Sequence, residues 1–221
     1  MGHNNFNPSY IGKRNDILGV ISGNVNSVLD VGCSIGTLGE KIKQKINKVK
    51  VVGIEIDKQM AKVAKEKIDQ VIVGDVEEIV LEDKLPPNYF DCIIFADILE
   101  HLKDPWRVLK ESVKFLKGRG IVIASLLNVR HYSVILNLLF RGYWPYRERG
   151  IHDKTHLRFF TFKNIQELFE QRGLSIFKVV RNYRIIERPH HFNRFSKYFA
   201  IPFLRDFFTF QYIVGAKKRS K

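Results

Sequence analysis

Cysteine is scarce in this chain, and its scarcity excludes a fold held together by disulfides. The 221 residues include only Cys33 and Cys92, and both lie in segments that we predict to be strands or strand ends. Disulfide scaffolds need several paired cysteines and an oxidising compartment. We therefore expect a reducing, cytoplasmic environment.

Long apolar runs are also missing. No segment reaches the 18 or so consecutive apolar residues that a membrane-spanning helix needs, so we expect none. The start, MGHNNFNPSYIGKRND, lacks the apolar core of a signal peptide, and we expect no secretory signal. No internal repeat or low-complexity tract is present, which argues against a solenoid.

Acidic residues are few in the second part of the chain. Residues 1–129 hold 18 Lys and Arg against 17 Asp and Glu, whereas residues 130–221 hold 19 against 6. Nearly all of the net charge of +14 therefore lies in the second part. This asymmetry favours an anionic partner such as nucleic acid, a membrane surface or a phosphorylated substrate, with a merely solubilising surface as the alternative.

The order of the apolar segments predicts an α/β fold. The apolar fraction of 45% and the charged fraction of 27% are typical of a globular domain, and strands alternate with helices in the first part of the chain. Such alternation predicts a doubly wound, mostly parallel sheet within one domain, 1–221. The predicted strands are 27–31, 49–55, 70–73, 90–95, 120–125, 174–182 and 210–216. The predicted helices are 10–21, 38–46, 58–68, 105–116, 129–140, 162–172 and 192–208, the last interrupted by Pro202.

A loop of small residues follows the first predicted strand, in VLDVGCSIGTLGEKI. Gly32 and Gly36 remove side chains where a ligand could approach the backbone, with a tight strand–helix turn as the structural alternative. Asp30, just ahead of the loop, would repel a pyrophosphate but suits a cationic group. A dehydrogenase-type dinucleotide site is therefore disfavoured.

Two further acids end predicted strands. Glu55 ends the second strand, 19 residues after Gly36, where a carboxylate can accept both hydroxyls of a ribose. Asp75 ends the third strand, where a carboxylate can accept from the amino group of an adenine. Together with the loop, these acids predict a site for a ligand that contains a nucleoside.

These motifs, in this order, resemble those of class I S-adenosylmethionine-dependent methyltransferases. The resemblance rests on VLDVGCSIG, GIEID, GDV, FDCII and DILEH, and it spans residues 28 to about 128. It implies a seven-stranded sheet in the order 3-2-1-4-5-7-6, S-adenosylmethionine as cofactor and S-adenosylhomocysteine as product. It divides the domain into a cofactor-binding half, 1–128, and an acceptor-side half, 129–221.

The resemblance also implies which residues hold the cofactor. Asp30 and its loop would hold the methionine portion and Glu55 the ribose, while Asp75 and Val76 would frame the adenine. Ser34 departs from the family, which has glycine in the middle of the loop. We expect the loop to tolerate serine less well than glycine, without loss of cofactor binding. The full implied set is Asp30, Gly32, Cys33, Ser34, Gly36, Glu55, Ile56, Asp75, Val76, Ala96 and Asp97.

His101 is a candidate general base, because it follows the fourth predicted strand at the edge where such sheets bind ligands. Orienting the loop or capping the next helix is the alternative role. The Asn/Asp-Pro-Pro-Tyr/Phe tetrapeptide of amino-group methyltransferases is absent, and Ala96-Asp97-Ile98-Leu99 stands in its place. This favours an oxygen or carbon acceptor over a base amine.

The segment GIHDKTHLRFFT, residues 150–161, resembles part of the methyltransferases that accompany bacterial glycan and polysaccharide assembly. That likeness implies that His156 and Arg158 face the active site or brace the acceptor loop, with an Arg–carboxylate brace as the structural alternative. A metal site at His152, Asp153 and His156 fits the spacing alone, and we predict no metal.

The acceptor implied by this likeness is a sugar or lipid-linked glycan precursor, methylated on oxygen. An RNA methyltransferase is the alternative, disfavoured because no RNA-binding module is recognisable, and a catalytically silent scaffold that binds the cofactor is a third.

Three further features belong to the acceptor side. The aromatic loop RGYWPYR, residues 141–147, is predicted to cover the pocket as a lid, and Asn128 to face the acceptor. The Phe-rich segment 192–208 is predicted either to lie on the inner membrane surface, with Arg194, Lys197 and Arg205 at the head groups, or to pack on its own domain or a second subunit.

Overall fold

The computed structural model describes residues 14–187, 190–199 and 201–219. These residues form one sheet of seven strands: β1 (Ser27–Val31), β2 (Lys50–Glu55), β3 (Gln70–Val73), β4 (Phe90–Ala96), β5 (Leu116–Leu127), β6 (Leu174–Tyr183) and β7 (Thr209–Lys218). The helices are α1 (Asn15–Leu18), α2 (Thr37–Lys45), α3 (Lys58–Ala64), α4 (Pro105–Val113), α5 (Tyr132–Arg141), α6 (Phe162–Glu170) and α7 (Arg205–Phe208). Short 3-10 segments cover Leu81–Asp83, Leu99–His101 and His191–Phe199.

The strand order is β3-β2-β1-β4-β5-β7-β6, which confirms the predicted α/β fold. Strands β1 to β5 pair in parallel, whereas β7 pairs antiparallel with both β5 and β6. The order reverses between β1 and β4, and open α/β sheets bind ligands outside the strand ends at such a switch point. The topology therefore places a binding crevice where β1 and β4 end.

The central strands are buried on both faces, as their apolar runs predict. All five residues of β1 are buried, and successive side chains enter two different clusters because strand side chains alternate. Leu29 and Ile93 lie in one cluster, while Val28 and Ile94 lie in the other. The sheet thus separates two apolar cores, each covered by helices.

Both cysteines are buried free thiols. Burial raises the pKa of the Cys33 and Cys92 thiols above the usual range. A thiol that stays protonated is a poor nucleophile, so both side chains act as packing groups. The reducing, cytoplasmic environment that we expect from the low cysteine content stays a prediction.

The C-terminal segment 192–208 is helical in two parts, as its predicted interruption at Pro202 implies. A 3-10 segment ends at Phe199 and α7 begins only at Arg205. Pro202 lies between them, and proline breaks a helix because it lacks an N–H and clashes with the preceding turn. The prediction of a helix from residue 10 falls partly outside the described residues, which show α1 from Asn15. In the described part of the chain, no helix is long and apolar enough to cross a membrane.

We expect Gly53→Ala to destabilise the fold, because a methyl group on this residue of β2 has no room. A Cβ there would lie 2.8 Å from Ile68 Cδ1 and 2.9 Å from Cys33 Cβ. Overpacking of this kind costs about 1–3 kcal/mol, and urea unfolding would measure the loss. Gly118→Ala is the control, since nothing lies within 4 Å of a Cβ at that position. Equal effects of the two substitutions would contradict the argument.

Candidate active site

A cavity of about 1170 Å³ opens at the carboxyl ends of the central strands. Ligand pockets for one small molecule measure about 300–1,000 Å³, so this cavity has room for two ligands side by side. Residues from both halves of the chain line it, among them Asp30 and Glu55 from the first half and Arg184 and Gln211 from the second. The site therefore lies where the two halves meet.

The loop after β1 is held by backbone hydrogen bonds to the neighbouring strand. The N–H groups of Gly32 and Cys33 both donate to the carbonyl of Ile54, at 2.9 and 3.0 Å. Gly32 has a φ of 75°, in the left-handed region that favours glycine. The loop can therefore turn sharply and leave its backbone open to the cavity.

Ser34 occupies a position that suits glycine, because its φ is 51°. A side chain in the left-handed region costs roughly 1–2 kcal/mol. The Ser34 N–H donates to Glu55 Oε2 at 2.7 Å, which offsets part of that cost. The left-handed backbone therefore explains why we expect this position to tolerate serine less well than glycine.

Glu55 is held at the end of β2 by two backbone donors. Its Oε2 accepts from Ser34, and its Oε1 accepts from the N–H of Asp57 at 2.9 Å. Each carboxylate oxygen has a second lone pair that remains open to a ligand hydroxyl. Beside it, the side chain of Ile56 is 65% exposed and presents an apolar surface to the cavity.

Asp30 is a buried carboxylate that lacks a full set of partners. It is 1% exposed, and its Oδ1 has no hydrogen-bond partner among the described residues. Burial raises the pKa of the Asp30 carboxyl to about 7, although the Arg14 charge works in the opposite direction. A buried unpaired acceptor is costly, so this atom suits a cationic or hydrogen-bonding ligand group.

Asp97 joins four elements beside the end of β4. Its Oδ1 accepts from Ser125 Oγ at 2.7 Å and from Gln211 Nε2 at 2.6 Å, and its Oδ2 forms an ion pair with Arg14. Asp97 itself has a left-handed φ of 55°. This network fixes the strand ends that border the crevice.

His101 is oriented by a relay that determines its tautomer. Thr155 Oγ1 donates to Asp153 Oδ1 at 2.6 Å and lies 3.1 Å from His101 Nδ1. Because its single hydrogen is committed to the carboxylate, Thr155 must accept from His101 Nδ1–H. Nε2 of His101 is then the nitrogen that can accept a proton.

His156 packs against His101, with ring centroids 4.7 Å apart. Its Nδ1 lies 3.3 Å from the carbonyl of Ile151, which can only accept, so Nε2 is again the unprotonated nitrogen. Burial and the neighbouring His101 lower the pKa of His156. Both imidazoles line the cavity and form a pair of candidate proton acceptors.

Glu100 connects the end of β4 to the loop that carries His156. Its carbonyl accepts from the N–H groups of Leu157 and Arg158 at 2.9 and 3.0 Å. Its carboxyl group is buried, and both oxygens lack partners among the described residues. Burial and the nearby Asp97 charge raise its pKa well above the usual range. Burial therefore favours the neutral, protonated form of Glu100.

Most of the residues predicted from the sequence line this cavity, and four do not. Gly36 instead packs on α3, where an added Cβ would lie 3.1 Å from Ala64 Cα. Asp75 accepts from the Glu77 N–H at 2.9 Å, and its role at the adenine, like that of Val76, stays a prediction. The predicted residues that line the cavity are Asp30, Gly32, Cys33, Ser34, Glu55, Ile56, Ala96, Asp97, His101 and His156.

Arg158, predicted as catalytic, lies outside the cavity lining. Its Nε donates to the carbonyl of Lys103 at 3.0 Å, and its guanidinium lies 5.8 Å from the ring centroid of Trp106. It braces the loop on a backbone carbonyl rather than on a carboxylate. We therefore leave it out of the proposed catalytic groups.

Two other acceptor-side predictions differ from the structure. Asn128 is fully buried and donates to the carbonyls of Asp206 and Thr209 at 2.7 and 2.8 Å, so it is a structural residue. In the predicted lid, Trp144 packs against His152, with ring centroids 4.8 Å apart, and only Arg147 of the loop lines the cavity.

Within the described residues, no three His, Cys, Asp or Glu side chains form a metal-holding group.

Sequence reasoning missed the polar groups supplied from far along the chain. Gln211 interrupts the apolar strand segment FQYIVGA, and a polar residue in a buried strand was a usable signal. Asn182 closes β6 and donates to Asp16 at 3.0 Å. Arg14 lies in a polar stretch without any pattern, so nothing local marked it.

The sequence matches the methyltransferase domain family over residues 6–179. The ubiquinone biosynthesis O-methyltransferase of Nitrosomonas europaea is 31% identical over 154 residues, which are 66% of this chain and 63% of that protein. An uncharacterized protein of Methanocaldococcus jannaschii is 26% identical over 211 residues, 88% of this chain and 77% of that one. The chain thus spans a little under two thirds of the Nitrosomonas relative.

Solved structures share the fold. A chain from the complex between the Haloferax volcanii Trm112 methyltransferase activator and a methyltransferase has a TM-score of 0.68 at 14% identity, over 97% of this chain and 91% of that one. An S-adenosylmethionine-dependent methyltransferase from Archaeoglobus fulgidus has a TM-score of 0.64 at 18% identity, over 92% and 90%. The [4+2]-cyclase SpnF has a TM-score of 0.64 at 16% identity, over 94% of this chain and 80% of that one.

The chain belongs to the methyltransferase domain family, and S-adenosylmethionine is the cofactor that family and fold imply. The site fits this group on its own chemistry. The unpartnered Asp30 oxygen suits the cationic amino group of the methionine portion, Glu55 the ribose hydroxyls, and exposed Ile56 an apolar ring face.

The Asp30 carboxyl is expected to make cofactor affinity depend on pH. With a pKa of about 7, Asp30 is protonated below pH 7 and ionised above it, and only the ionised form pairs with an ammonium group. Affinity for S-adenosylhomocysteine should therefore rise by up to about tenfold per pH unit below 7 and level off above it. Calorimetry between pH 5.5 and 8 measures this, and Asp30→Asn should bind weakly without the pH dependence. A flat wild-type profile would contradict the assignment.

Proposed function

We propose that this chain transfers the methyl group of S-adenosylmethionine to a hydroxyl oxygen of a sugar or lipid-linked glycan precursor. The observation that carries the proposal is the orientation of His101. Its Nδ1–H is bound by Thr155, so that Nε2 is available as a proton acceptor. It lines the same cavity as the Asp30 and Glu55 carboxylates.

The protein's task in this reaction is alignment and proton removal. S-adenosylmethionine, when bound, supplies an electrophilic methyl group on a sulfonium. Asp30 holds the methionine portion of the cofactor and Glu55 its ribose, and the turn at Gly32 lets the backbone approach it. Holding both reactants at contact distance accounts for much of the rate gain in such displacements.

A hydroxyl acceptor needs a base, and the histidine pair meets that need. The lowered pKa of His156 keeps it neutral at pH 7, and a neutral imidazole accepts protons. Asp153 can stabilise the charge on His101 through Thr155 after the proton moves. The pair therefore supports an oxygen acceptor, as does the O-methyltransferase named among the relatives.

The glycan assignment rests on the likeness of the segment at His156 and Arg158. The basic half, 130–221, suits phosphate groups or anionic lipid beside such an acceptor. RNA is the alternative anionic partner. The cyclase among the structural neighbours shows that this fold also serves other functions.

We also propose contact between the segment 192–208 and a membrane surface. Tyr198 is 70% and Phe203 is 74% exposed, and basic Arg194 and Arg205 accompany them. Exposed aromatic rings with basic neighbours suit an anionic bilayer surface. We expect the protein to float with vesicles containing phosphatidylglycerol, and Tyr198→Ser with Phe203→Ser to reduce flotation severalfold. Binding that is unchanged by both substitutions would contradict this contact.

Label transfer tests the proposed reaction. The protein is incubated with methyl-tritiated S-adenosylmethionine and host extract, and RNA, protein, lipid-linked glycan and small metabolites are separated. We expect counts in the glycan or lipid fraction. In His101→Ala the rate of label transfer should be about 10²–10⁴-fold lower, because general-base catalysis is lost. Affinity of this variant for S-adenosylhomocysteine should stay within about twofold, whereas Glu55→Ala should lose both binding and counts.

The remaining outcomes separate the alternatives. Counts in RNA would favour the nucleic-acid reading, and cofactor binding without transfer to any fraction would favour the silent scaffold. Glu66→Ala is the matched control for Glu55→Ala, because Glu66 is exposed and lies outside the cavity lining. An unaltered rate in both His101→Ala and His156→Ala would remove the base assignment.

A further inference from the structure

Acidic and basic side chains both line the cavity, and the second half contributes acids (Glu148, Asp153 and Glu187) as well as arginines. Carboxylates of the first half, such as Asp30 and Glu55, line the end assigned to the cofactor. The second half contributes the guanidinium groups of Arg147, Arg149 and Arg184 to the lining. The sulfonium cofactor accounts for the acidic end of the cavity, whereas the proposed reaction does not say which group of the acceptor meets these arginines.

Several charges that the second half brings to the cavity are already paired. Arg147 Nη1 lies 2.9 Å from Glu187 Oε2, and Glu148 pairs with Lys154 at 2.7 Å. Burial works to raise the pKa of Glu187, but hydrogen bonds from His152 and Ser133 and the Arg147 charge lower it to about 2. Glu187 therefore stays ionised, and Arg147 stays neutralised.

Arg149 and Arg184 differ from Arg147 in this respect. Within residues 14–187, 190–199 and 201–219, neither guanidinium has a carboxylate within 4.0 Å. Burial lowers the pKa of Arg184, the charges of Asp97 and Asp16 beyond ion-pair distance raise it, and the charge of Arg149 lowers it. Two cations that line one cavity without a carboxylate in ion-pair contact are stabilised by an anionic ligand.

Arg184 is held in place before any ligand binds. Its guanidinium lies 4.0 Å from the ring centroid of Phe210, and its Nη1 donates to the carbonyl of Glu187 at 2.6 Å. Its own carbonyl accepts from His131 Nε2 at 2.9 Å. A fixed guanidinium loses little entropy on binding an oxyanion.

Arg149 lies in a turn that is also fixed by its backbone. The Arg147 N–H donates to the carbonyl of His152 at 2.8 Å, and the Lys154 N–H donates back to the carbonyl of Arg147 at 2.9 Å. Gly150, at φ 84°, completes the turn. The side chain of Arg149 is exposed at the cavity mouth.

We infer that Arg149 and Arg184 form an oxyanion subsite, so that the acceptor carries a phosphate or carboxylate group beside the hydroxyl that is methylated. This inference rests on the proposed function and adds the charge of its acceptor. Guanidinium groups bind phosphate and carboxylate oxygens with paired, charge-assisted hydrogen bonds. A neutral acceptor would leave both cations unpaired, so the subsite selects against it.

Binding of defined probes tests the subsite without knowledge of the acceptor. Inorganic pyrophosphate, glucose 1-phosphate, glucuronate and methyl glucoside are titrated by calorimetry into protein with and without S-adenosylhomocysteine. The product lacks the sulfonium charge, so any attraction comes from the protein. We expect pyrophosphate and at least one of the two sugar anions to bind at least about tenfold more tightly than methyl glucoside. Glucose 1-phosphate against glucuronate distinguishes a phosphate from a carboxylate acceptor.

Arg149→Gln is the decisive variant, because this exposed side chain makes no hydrogen bond or ion pair among the described residues, and its loss should not disturb folding. It should lower the affinity for the anionic probes about tenfold and leave the affinity for S-adenosylhomocysteine unchanged. Arg184→Lys should also lower the affinity for the anions. Arg119→Gln, which removes an equal charge near the start of β5 and outside the cavity, should change nothing.

Two results would overturn the inference. One is anion binding that is equal in wild type and Arg149→Gln, and the other is no pyrophosphate binding at concentrations up to about 10 mM. Either result with intact S-adenosylhomocysteine binding removes the subsite alone. If the wild-type protein did not bind S-adenosylhomocysteine, the proposed function would be contradicted instead. The titrations carried out without S-adenosylhomocysteine would still test the subsite.

Discussion

One carboxylate holds the cofactor crevice in shape. Glu55 accepts the N–H of Ser34 from the loop after β1 and the N–H of Asp57 from the start of α3. The loops that follow the neighbouring strands β1 and β2 are therefore fixed by a single side chain at the edge of the crevice. The left-handed turn at Ser34, the position of Ile56 and the open face of the crevice all depend on this pair of bonds.

The second half of the chain completes the site rather than forming a separate unit. Strand β7 inserts antiparallel between β5 and β6, and Gln211 from β7 binds Asp97 at the end of β4. The carbonyl of Glu100 holds the loop that brings His156 onto His101. The candidate base is thus positioned by contacts between the two halves of the chain.

Family and fold set limits on the chemistry without naming the acceptor. The buried carboxyl of Asp30, with one oxygen unpartnered among the described residues, suits a cationic cofactor. The acceptor end is made by the loop after α5 and by the segment after β6, which carry Arg149 and Arg184. Function diverges among proteins of one fold through such segments, and the charge of these segments carries our inference about the substrate.

The sequence by itself determined the strand order, through the family resemblance, and much of the cofactor end of the site. Asp30, Gly32 and Glu55 could be assigned because glycines and acids at strand ends form a local pattern. Only the tertiary structure brought Arg14 and Gln211 to Asp97, since they lie 83 and 114 residues away in sequence and long-range polar contacts leave no periodic signal. The same reason explains Arg158: its neighbours in sequence suggested the cavity, but in the folded chain its guanidinium donates to the carbonyl of Lys103, 55 residues away in sequence.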